Sequence, residues 1–134
     1  MDNLYIAATT TSPEVDFRFD QHMLSLKGES YPENAAAFYA PIIEQLRNYL
    51  AGSTGAVITI DVVLTYFNSS STKMLFSMFD ALDQAAQSGT RVLMNWYRDE
   101  EDETIAEFGE ELEADFHAIE FTDRPISPAT HQGQ

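Results

Sequence analysis

The chain has 134 residues, a length typical of one domain that can bury a hydrophobic core of its own. Its 22 acidic and 7 basic side chains give a formal net charge of −15, which excludes a general binder of nucleic-acid phosphates and argues against docking on anionic lipid. The sequence contains no cysteine, no signal-peptide pattern and no apolar run long enough to span a membrane. We therefore expect a cytoplasmic protein without disulfides, cysteine-ligated metal or membrane insertion.

The first part of the chain predicts three short strands. An apolar run over residues 4–8 indicates one of them. Over residues 15–19 apolar and polar side chains alternate, and a further apolar stretch over residues 23–27 follows a short polar turn. Alternation with a period of two is typical of a half-buried strand, so these two segments predict an antiparallel hairpin.

A helix is predicted over residues 35–50, where apolar side chains recur at helical spacing. Two starts are open for it, because Ser30 with Glu33 matches a capping box and Asn34 is a competing cap. Pro41 lies inside the pattern and lacks the amide that a helix interior uses. The sequence leaves open whether the helix kinks at Pro41 or a new helix begins there.

The second part of the chain alternates strands and helices. Residues 57–67 and 90–97 predict strands with one apolar face and one mixed face. Residues 69–88 and a stretch ending near Asp115 predict helices, and residues 116–121 predict a last short strand. Strands that are apolar on one side only indicate a sheet with helices packed mainly on one face. The predicted fold is therefore α/β, a two-layer domain with a mixed sheet.

Composition predicts one domain boundary. Residues 1–121 hold all the predicted elements, whereas residues 122–134 contain two prolines and few apolar side chains. We therefore predict a single domain over residues 1–121 and a flexible C-terminal tail over residues 122–134.

The sequence does not indicate a metal or cofactor site. The acidic run over residues 99–103 lacks the spacing of a calcium loop and is typical of a solvated helix start. The three histidines, His22, His117 and His131, do not share metal-ligand spacing. A nucleophile elbow and a phosphate-binding glycine loop are also absent, so we expect no cofactor and no catalytic residues.

The junction over residues 68–72 carries the strongest functional signal. It places a run of small polar side chains between a strand and a helix, more than one helix cap requires. A helix N-terminus has unpaired N–H groups and positive dipole charge, which suit a phosphate on a nearby hydroxyl. The alternative interpretation is that Ser69 or Asn68 is simply the cap.

A helical wheel divides the helix after this junction into two faces. Ser71 falls on the apolar face, Ser69 falls on the opposite face, and Ser70 lies between them. Phe76 is a misfit, since it is a large aromatic on the polar face about two turns after Ser69. We expect Phe76 to contribute little to the fold and to anchor a partner. The polar face consists of Ser69, Thr72, Lys73, Phe76, Asp80, Asp83 and Gln87.

Two segments carry a resemblance to a known family. Residues 28–34 read GESYPEN before an aromatic-rich helix, and residues 64–71 read LTYFNSSS at the entry to the next helix. Over residues 4–121 the chain resembles the SiaC family of bacterial regulatory phosphoproteins. The resemblance implies a STAS-like fold, as in anti-sigma-factor antagonists, and no enzymatic activity. It also implies a partner kinase, a PP2C-like phosphatase, and an unphosphorylated form that binds and activates a diguanylate cyclase, which links the protein to cyclic di-GMP and biofilm formation.

The same resemblance implies where the site lies in this sequence. The phosphate acceptor is expected at Ser69, with Ser70 and Ser71 as alternates in register. The wheel favours Ser69, because its side chain is predicted to point outward. The partner surface is expected to comprise Asn68, Thr72, Lys73, Phe76, Asp80 and Asp83, bordered by Tyr31, Glu33 and Asn34.

Two other functions stay open from the sequence. A small enzyme or ligand carrier would use the open sheet face around Thr59, Asp61, Arg91 and Asn95, and it requires a deep pocket there. A plain scaffold would bind its partner without any phosphorylation. Kinase treatment followed by measurement of the intact mass separates the scaffold from a phosphorylated regulator.

Overall fold

A computed structural model describes residues 2–127 as one six-stranded sheet covered by three helices. Their order along the chain is the predicted one, which confirms the α/β class. The elements are β1 (Leu4–Ile6), β2 (Glu14–Arg18), β3 (Met23–Ser30), α1 (Ala35–Ala51), β4 (Val57–Phe67), α2 (Ser69–Gln87), β5 (Arg91–Asp99), α3 (Glu103–Asp115) and β6 (Glu120–Ile126).

Each strand of the sheet pairs with the next strand along the chain. β1, β2 and β3 pair antiparallel, so the predicted hairpin is confirmed. β3 to β6 pair parallel, and each of the three helices connects one parallel strand to the next. The sheet is therefore mixed, as predicted, and the carboxyl ends of β3, β4, β5 and β6 lie at one edge.

The helices cover one face of the sheet. Along β4, the side chains of Ile58, Ile60, Val62 and Leu64 are buried, while the alternating residues are half-buried or exposed. Burying an aliphatic side chain of this size stabilises a fold by roughly 1.5–3 kcal/mol. This strand alone therefore contributes a substantial part of the core, and its other face is left open.

Asn34 caps the start of α1, and its side chain accepts a hydrogen bond from the amide of Ala37 at 3.0 Å. The alternative capping box is wrong, because Ser30 lies in β3 and is fully buried, and no side-chain bond joins it to Glu33 in the described residues. The helix runs through Pro41 without interruption, and the side chain of Pro41 is exposed. The possibility that a new helix begins at Pro41 is therefore excluded.

The last strand lies further along the chain than predicted. Phe116 and Ile119 are buried, but they belong to the turn after α3, and their burial rather than strand structure explains their apolar character. β6 pairs with β5 as far as Ile126, and most of its side chains are exposed because it is an edge strand. The domain therefore includes residues 122–126, which were predicted as tail. Residues 128–134 of that predicted tail lie outside the described part of the chain.

The helix α3 approaches the sheet closely at Gly109. A Cβ atom at this position would lie 2.7 Å from Nε1 of Trp96, a distance that side chains do not tolerate. The indole N–H of Trp96 donates to the carbonyl of Ile105 at 3.1 Å, which satisfies the polar atom of this buried side chain. The glycine thus allows the helix to lie directly on the tryptophan ring.

Candidate functional site

The candidate site lies at the carboxyl ends of β3 and β4, where Asn68 joins β4 to α2. The side chain of Asn68 accepts from the amide of Ser71 at 2.9 Å. Its carbonyl accepts from the amide of Thr72 at 3.0 Å and from the Thr72 hydroxyl at 3.1 Å. Its own amide donates to the carbonyl of Ser30 at 3.1 Å, which ties the junction to β3. Asn68 is therefore the cap of α2, and Ser69 is not needed for that role.

The three serines that open α2 lie in different environments. Ser69 and Ser70 are exposed, whereas Ser71 is completely buried. Within residues 2–127, the hydroxyls of Ser69 and Ser70 form no hydrogen bond with another protein group. The predicted orientations of Ser69 and Ser71 are thus observed, and only the first two hydroxyls are open to a modifying enzyme.

A buried chain of hydroxyl groups anchors the start of α2. The hydroxyls of Tyr39 and Ser30 are 2.6 Å apart, and the Ser30 hydroxyl donates to that of Ser71 at 2.8 Å. Burial raises the pKa of Tyr39 to about 12, so its phenol stays protonated at neutral pH. The chain connects α1, β3 and α2, and it fixes the residue two positions after Ser69.

This hydroxyl chain was not predicted from the sequence as part of the site. Ser30 was one of two possible caps of α1, and Tyr39 was one of the apolar positions in the helical pattern. The available signal was the presence of polar atoms at positions that the periodicity places in the core, because a buried hydroxyl requires a partner.

The loop between β3 and α1 lies beside the start of α2, as expected. The ring of Tyr31 packs edge-on against the ring of Tyr66, with 5.6 Å between their centroids. Glu33 and Asn34 line a shallow depression together with Ser70 and Lys73 on α2, among other residues. Asn34 also caps α1, so its side chain is held in place by the helix rather than being available to a ligand.

Two residues of the predicted partner face are less exposed than the helical wheel indicates. Phe76 is half-buried, and its ring centroid lies 5.1 Å from that of Phe108 and 5.9 Å from that of Phe116. Asp83 is buried, and its carboxylate accepts from the amide of Ala118 at 3.0 Å. Both residues contact α3 or the turn that follows it, and the wheel did not include this neighbour. The predictions that Phe76 is fully exposed and that Asp83 points outward are wrong, whereas a role for Phe76 in partner binding stays a prediction.

The other predicted residues of this face remain at the surface to different degrees. Lys73 is exposed, and it lies one helical turn after Ser69. Thr72 is half-buried and bonded to the cap, as described above. Asp80 is half-buried and accepts from the side chain of Gln84 at 2.7 Å. The accessible part of the face is therefore centred on Ser69, Ser70 and Lys73.

The open sheet face does not present converging functional groups. Asn95 donates to the carboxylate of Asp61 at 2.8 Å and accepts from the guanidinium of Arg124 at 2.7 Å. Arg91 forms a two-point ion pair with Glu120, with distances of 2.6 and 3.0 Å, and this pair lowers the pKa of the Glu120 carboxyl. These polar groups satisfy one another, which is typical of a solvated sheet surface rather than a catalytic pocket.

Metal ligands do not cluster in the part of the chain that the structure describes. The ring of His22 hydrogen-bonds to the hydroxyl of Tyr49, and His117 lies in the turn after α3, while His131 is outside the described residues. The helices within residues 2–127 are too short or too polar to cross a membrane.

Known proteins resemble this chain in sequence and in fold. The model of the SiaC family regulatory phosphoprotein matches residues 6–126. An uncharacterized protein of Pseudomonas aeruginosa strain UCBPP-PA14 is 32% identical over 115 residues, which cover 86% of this chain and 90% of that protein. Apo-SiaC from Pseudomonas aeruginosa has a crystal structure that matches with a TM-score of 0.84 and 30% identity, covering 92% of this chain and 99% of that chain. The crystal structure of the diguanylate cyclase SiaD in complex with its activator SiaC gives the same values.

Proposed function

This chain belongs to the SiaC family of regulatory phosphoproteins, and we propose that it is a non-enzymatic protein that binds and activates a diguanylate cyclase. The similar SiaC of Pseudomonas aeruginosa is known in a complex with the cyclase SiaD as its activator. Activation raises cyclic di-GMP, and phosphorylation of Ser69 by a partner kinase switches the protein off. A PP2C-like phosphatase restores the binding form.

The exposed hydroxyl of Ser69 at the first position of α2 is the observation that carries this proposal. A kinase needs access to the hydroxyl oxygen, and the side chain of Asn68 already serves as the helix cap. Ser69 can therefore be modified without removing the hydrogen bond that starts the helix. Ser70 is exposed as well and is the alternate acceptor, whereas the buried hydroxyl of Ser71 supports structure rather than modification.

A phosphate at this position is compatible with the fold. It carries a charge of about −1.5 to −2 at neutral pH. The positive end of the helix dipole and the unpaired amides of the first turn favour a negative group there. The modified chain should therefore keep its structure. A partner that docks on the same surface should bind more weakly, because the phosphate has to be desolvated and repels acidic groups of the partner.

The proposal is tested by a chain that carries phosphoserine at position 69, introduced during translation. The unmodified chain should bind its cognate diguanylate cyclase and increase cyclic di-GMP synthesis, and the phosphoserine chain should do neither. Ser69→Ala should bind permanently, and Ser69→Glu should bind weakly. Ser70→Ala is the matched control and should still accept one phosphate when the chain is incubated with a cell extract and ATP.

Three results would contradict the proposal. One is an unmodified chain that does not bind the cyclase, and another is a phosphoserine chain that binds it as well as the unmodified one. The third is phosphate that maps to a residue other than Ser69 or Ser70 by mass spectrometry of the modified chain. Circular dichroism of each variant checks that the fold is retained.

A further inference from the structure

The pairing of β3 with β4 shifts by one residue near the carboxyl ends of these strands. Gly28 pairs with Leu64, but the next residue of β3, Glu29, pairs with Tyr66, so Thr65 is an extra residue and forms a β-bulge. Gly28 has a φ of 126°, a backbone conformation that favours glycine. The hydroxyl of Thr65 donates to the carbonyl of Gly28 at 3.4 Å, which holds the two strands together at the bulge.

The bulge exchanges the directions of the two side chains that follow it. Along β4 before the bulge, the even-numbered residues are buried against the helices. Continued alternation would turn Tyr66 toward the helices and Phe67 toward the open face of the sheet. The shifted pairing instead places Tyr66 beside the exposed Glu29, and the ring of Phe67 packs against that of Phe108 on α3, with 4.6 Å between their centroids. The bulge therefore brings the ring of Tyr66 to the surface, where 51% of the residue is exposed.

Tyr66 differs in position from the other large apolar side chains that are exposed in residues 2–127. These side chains are Tyr5, Met23, Val57 and Tyr66. Met23 and Val57 begin their strands, so they lie about 30 Å from the carboxyl end of β4 at roughly 3.3 Å per residue. Tyr5 lies on β1, three strands away from β4. Of the four, Tyr66 is the one at the edge of the sheet where α2 and Ser69 begin.

Tyr31 supports the exposed ring of Tyr66. The two rings meet edge-on with 5.6 Å between their centroids. The amide of Tyr31 donates to the carbonyl of Thr11 at 2.7 Å, which ties the loop after β3 to the loop between β1 and β2. A ring that is held in place before binding loses less conformational freedom when a partner docks on it. Tyrosine is also among the residues that most often dominate the binding energy of an interface.

The charges near the two tyrosines are of both signs and do not select a partner. Glu29 and Glu33 are exposed on one side, and Lys73 is exposed one helical turn after Ser69. The partner follows instead from the switch. A phosphate on Ser69 that leaves the fold intact has to act on partner atoms within the range of its charge, about 8 Å at physiological ionic strength. The surface that the cyclase covers therefore has to include the neighbourhood of Ser69.

Tyr66 lies close enough to Ser69 to belong to that surface. Consecutive Cα atoms are about 3.8 Å apart, so the Cα atoms of these two residues are separated by less than about 12 Å. A specific interface covers about 800 Å² of each partner, which corresponds to a patch roughly 32 Å across. We propose that the ring of Tyr66, supported by Tyr31, anchors the diguanylate cyclase beside Ser69 by packing against an apolar side chain of the enzyme. This inference rests on the proposed function and names the residue that carries its binding step.

The position of the anchor gives the phosphate its effect on binding. An apolar contact on Tyr66 excludes water from its surroundings, and a phosphate on Ser69 at the border of this contact loses part of its hydration. Removing water from a charged group is far more costly than removing it from a hydroxyl. The unmodified Ser69 hydroxyl is therefore tolerated at the interface, whereas phosphoserine at the same position is not.

Truncation of the ring tests this proposal. Tyr66→Ala should weaken binding of the full-length cyclase about tenfold or more, as removal of an aromatic anchor does. Tyr66→Phe keeps the ring and should bind within about twofold of the wild type, because the contact is apolar. Tyr5→Ala is the matched control, since it removes an exposed tyrosine from the same face of the sheet three strands away, and its affinity should also stay within about twofold. The probes are the cyclase from the source genome and SiaD of Pseudomonas aeruginosa.

Thermal melts separate docking from folding. Tyr5 and Tyr66 are both more than half exposed, so the two alanine variants should melt within about 2 °C of the wild type. A Tyr66→Ala chain that melts several degrees lower than Tyr5→Ala would show that the ring supports the fold and would overturn the inference. Equal losses of binding in both variants would overturn it as well.

The failure of this inference is distinguishable from failure of the proposed function. If the wild-type chain binds and activates a cyclase and Tyr66→Ala binds it equally well, only the inference is overturned. If the wild-type chain binds neither cyclase, the proposed function itself is contradicted. A Tyr66→Ala chain that binds the cyclase normally but is phosphorylated more slowly in a cell extract would assign the ring to the modifying enzyme. Self-association that Tyr66→Ala abolishes would assign it to a second copy of the chain, and either result overturns the inference.

Discussion

Replacing Phe76 by alanine distinguishes a docking residue from a packing residue. The ring of Phe76 is half-buried against the rings of Phe108 and Phe116, so the substitution removes contacts that join α2 to α3. Truncating a fully buried phenylalanine costs about 3–5 kcal/mol. For a half-buried ring with two aromatic neighbours, we expect the free energy of unfolding to fall by about 2 kcal/mol.

Urea denaturation followed by tryptophan fluorescence measures this loss. Trp96 is the single tryptophan of the chain, it is buried, and its ring lies 5.7 Å from that of Phe108, so its emission reports on the core next to α3. The midpoint should decrease without a change in the denaturant slope. Phe76→Leu retains apolar volume and is the matched control, with an expected loss below about 1.5 kcal/mol.

The opposite outcome would refute the packing argument. If Phe76→Ala lowers the free energy of unfolding by less than about 0.5 kcal/mol, the side chain behaves as a surface residue. If the same variant then loses binding to the cyclase, Phe76 is the exposed anchor that the helical wheel predicted. If Phe76 only packs α2 against α3, cyclase binding should be retained under conditions in which the variant is folded.

Two further substitutions test the core and the buried hydroxyl chain. Gly109→Ala should destabilise the fold by roughly 1–3 kcal/mol in a thermal melt, because the added Cβ would lie 2.7 Å from Nε1 of Trp96, whereas the same change at the uncrowded helix-end Gly52 should be nearly neutral. A stabilised Gly109→Ala would refute the close contact, since alanine by itself favours a helix. Tyr39→Phe should cost about 1 kcal/mol near neutral pH by removing the hydrogen bond to Ser30. Since burial raises the pKa of Tyr39 from 10.0 to about 12, the unfolded phenol ionises first, and wild-type stability should fall as the pH rises from 10.0 to about 12. Tyr39→Phe has no phenol to ionise and does not lose stability over this pH range. The free energies of unfolding of the two proteins should therefore differ near neutral pH and become similar at about pH 11. A difference that is the same at both pH values would contradict the burial of Tyr39.

Much of the fold could be predicted because its signals are local. The alternation of apolar side chains over 57–67 identified β4 and its buried face, and helical spacing located α2 within one residue. The last strand was misplaced because β6 is an exposed edge strand with few apolar residues, while the preceding turn contributes Phe116 and Ile119 to the core. Apolar character reports burial, and burial is not confined to strands and helices.

For the candidate site, the sequence alone determined that a run of hydroxyls opens a helix and that Ser69 and Ser71 point in opposite directions. Both statements depend only on residues close together in the chain. The helical spacing of apolar side chains locates the helix, and its rotation per residue places Ser69 and Ser71 on opposite sides. The tertiary structure decided that α3 covers Phe76, that Asp83 binds a backbone amide, and that Ser30 supports Ser71. These contacts join segments far apart in the chain, and a helical wheel cannot specify them because it contains no information about which elements pack against the helix.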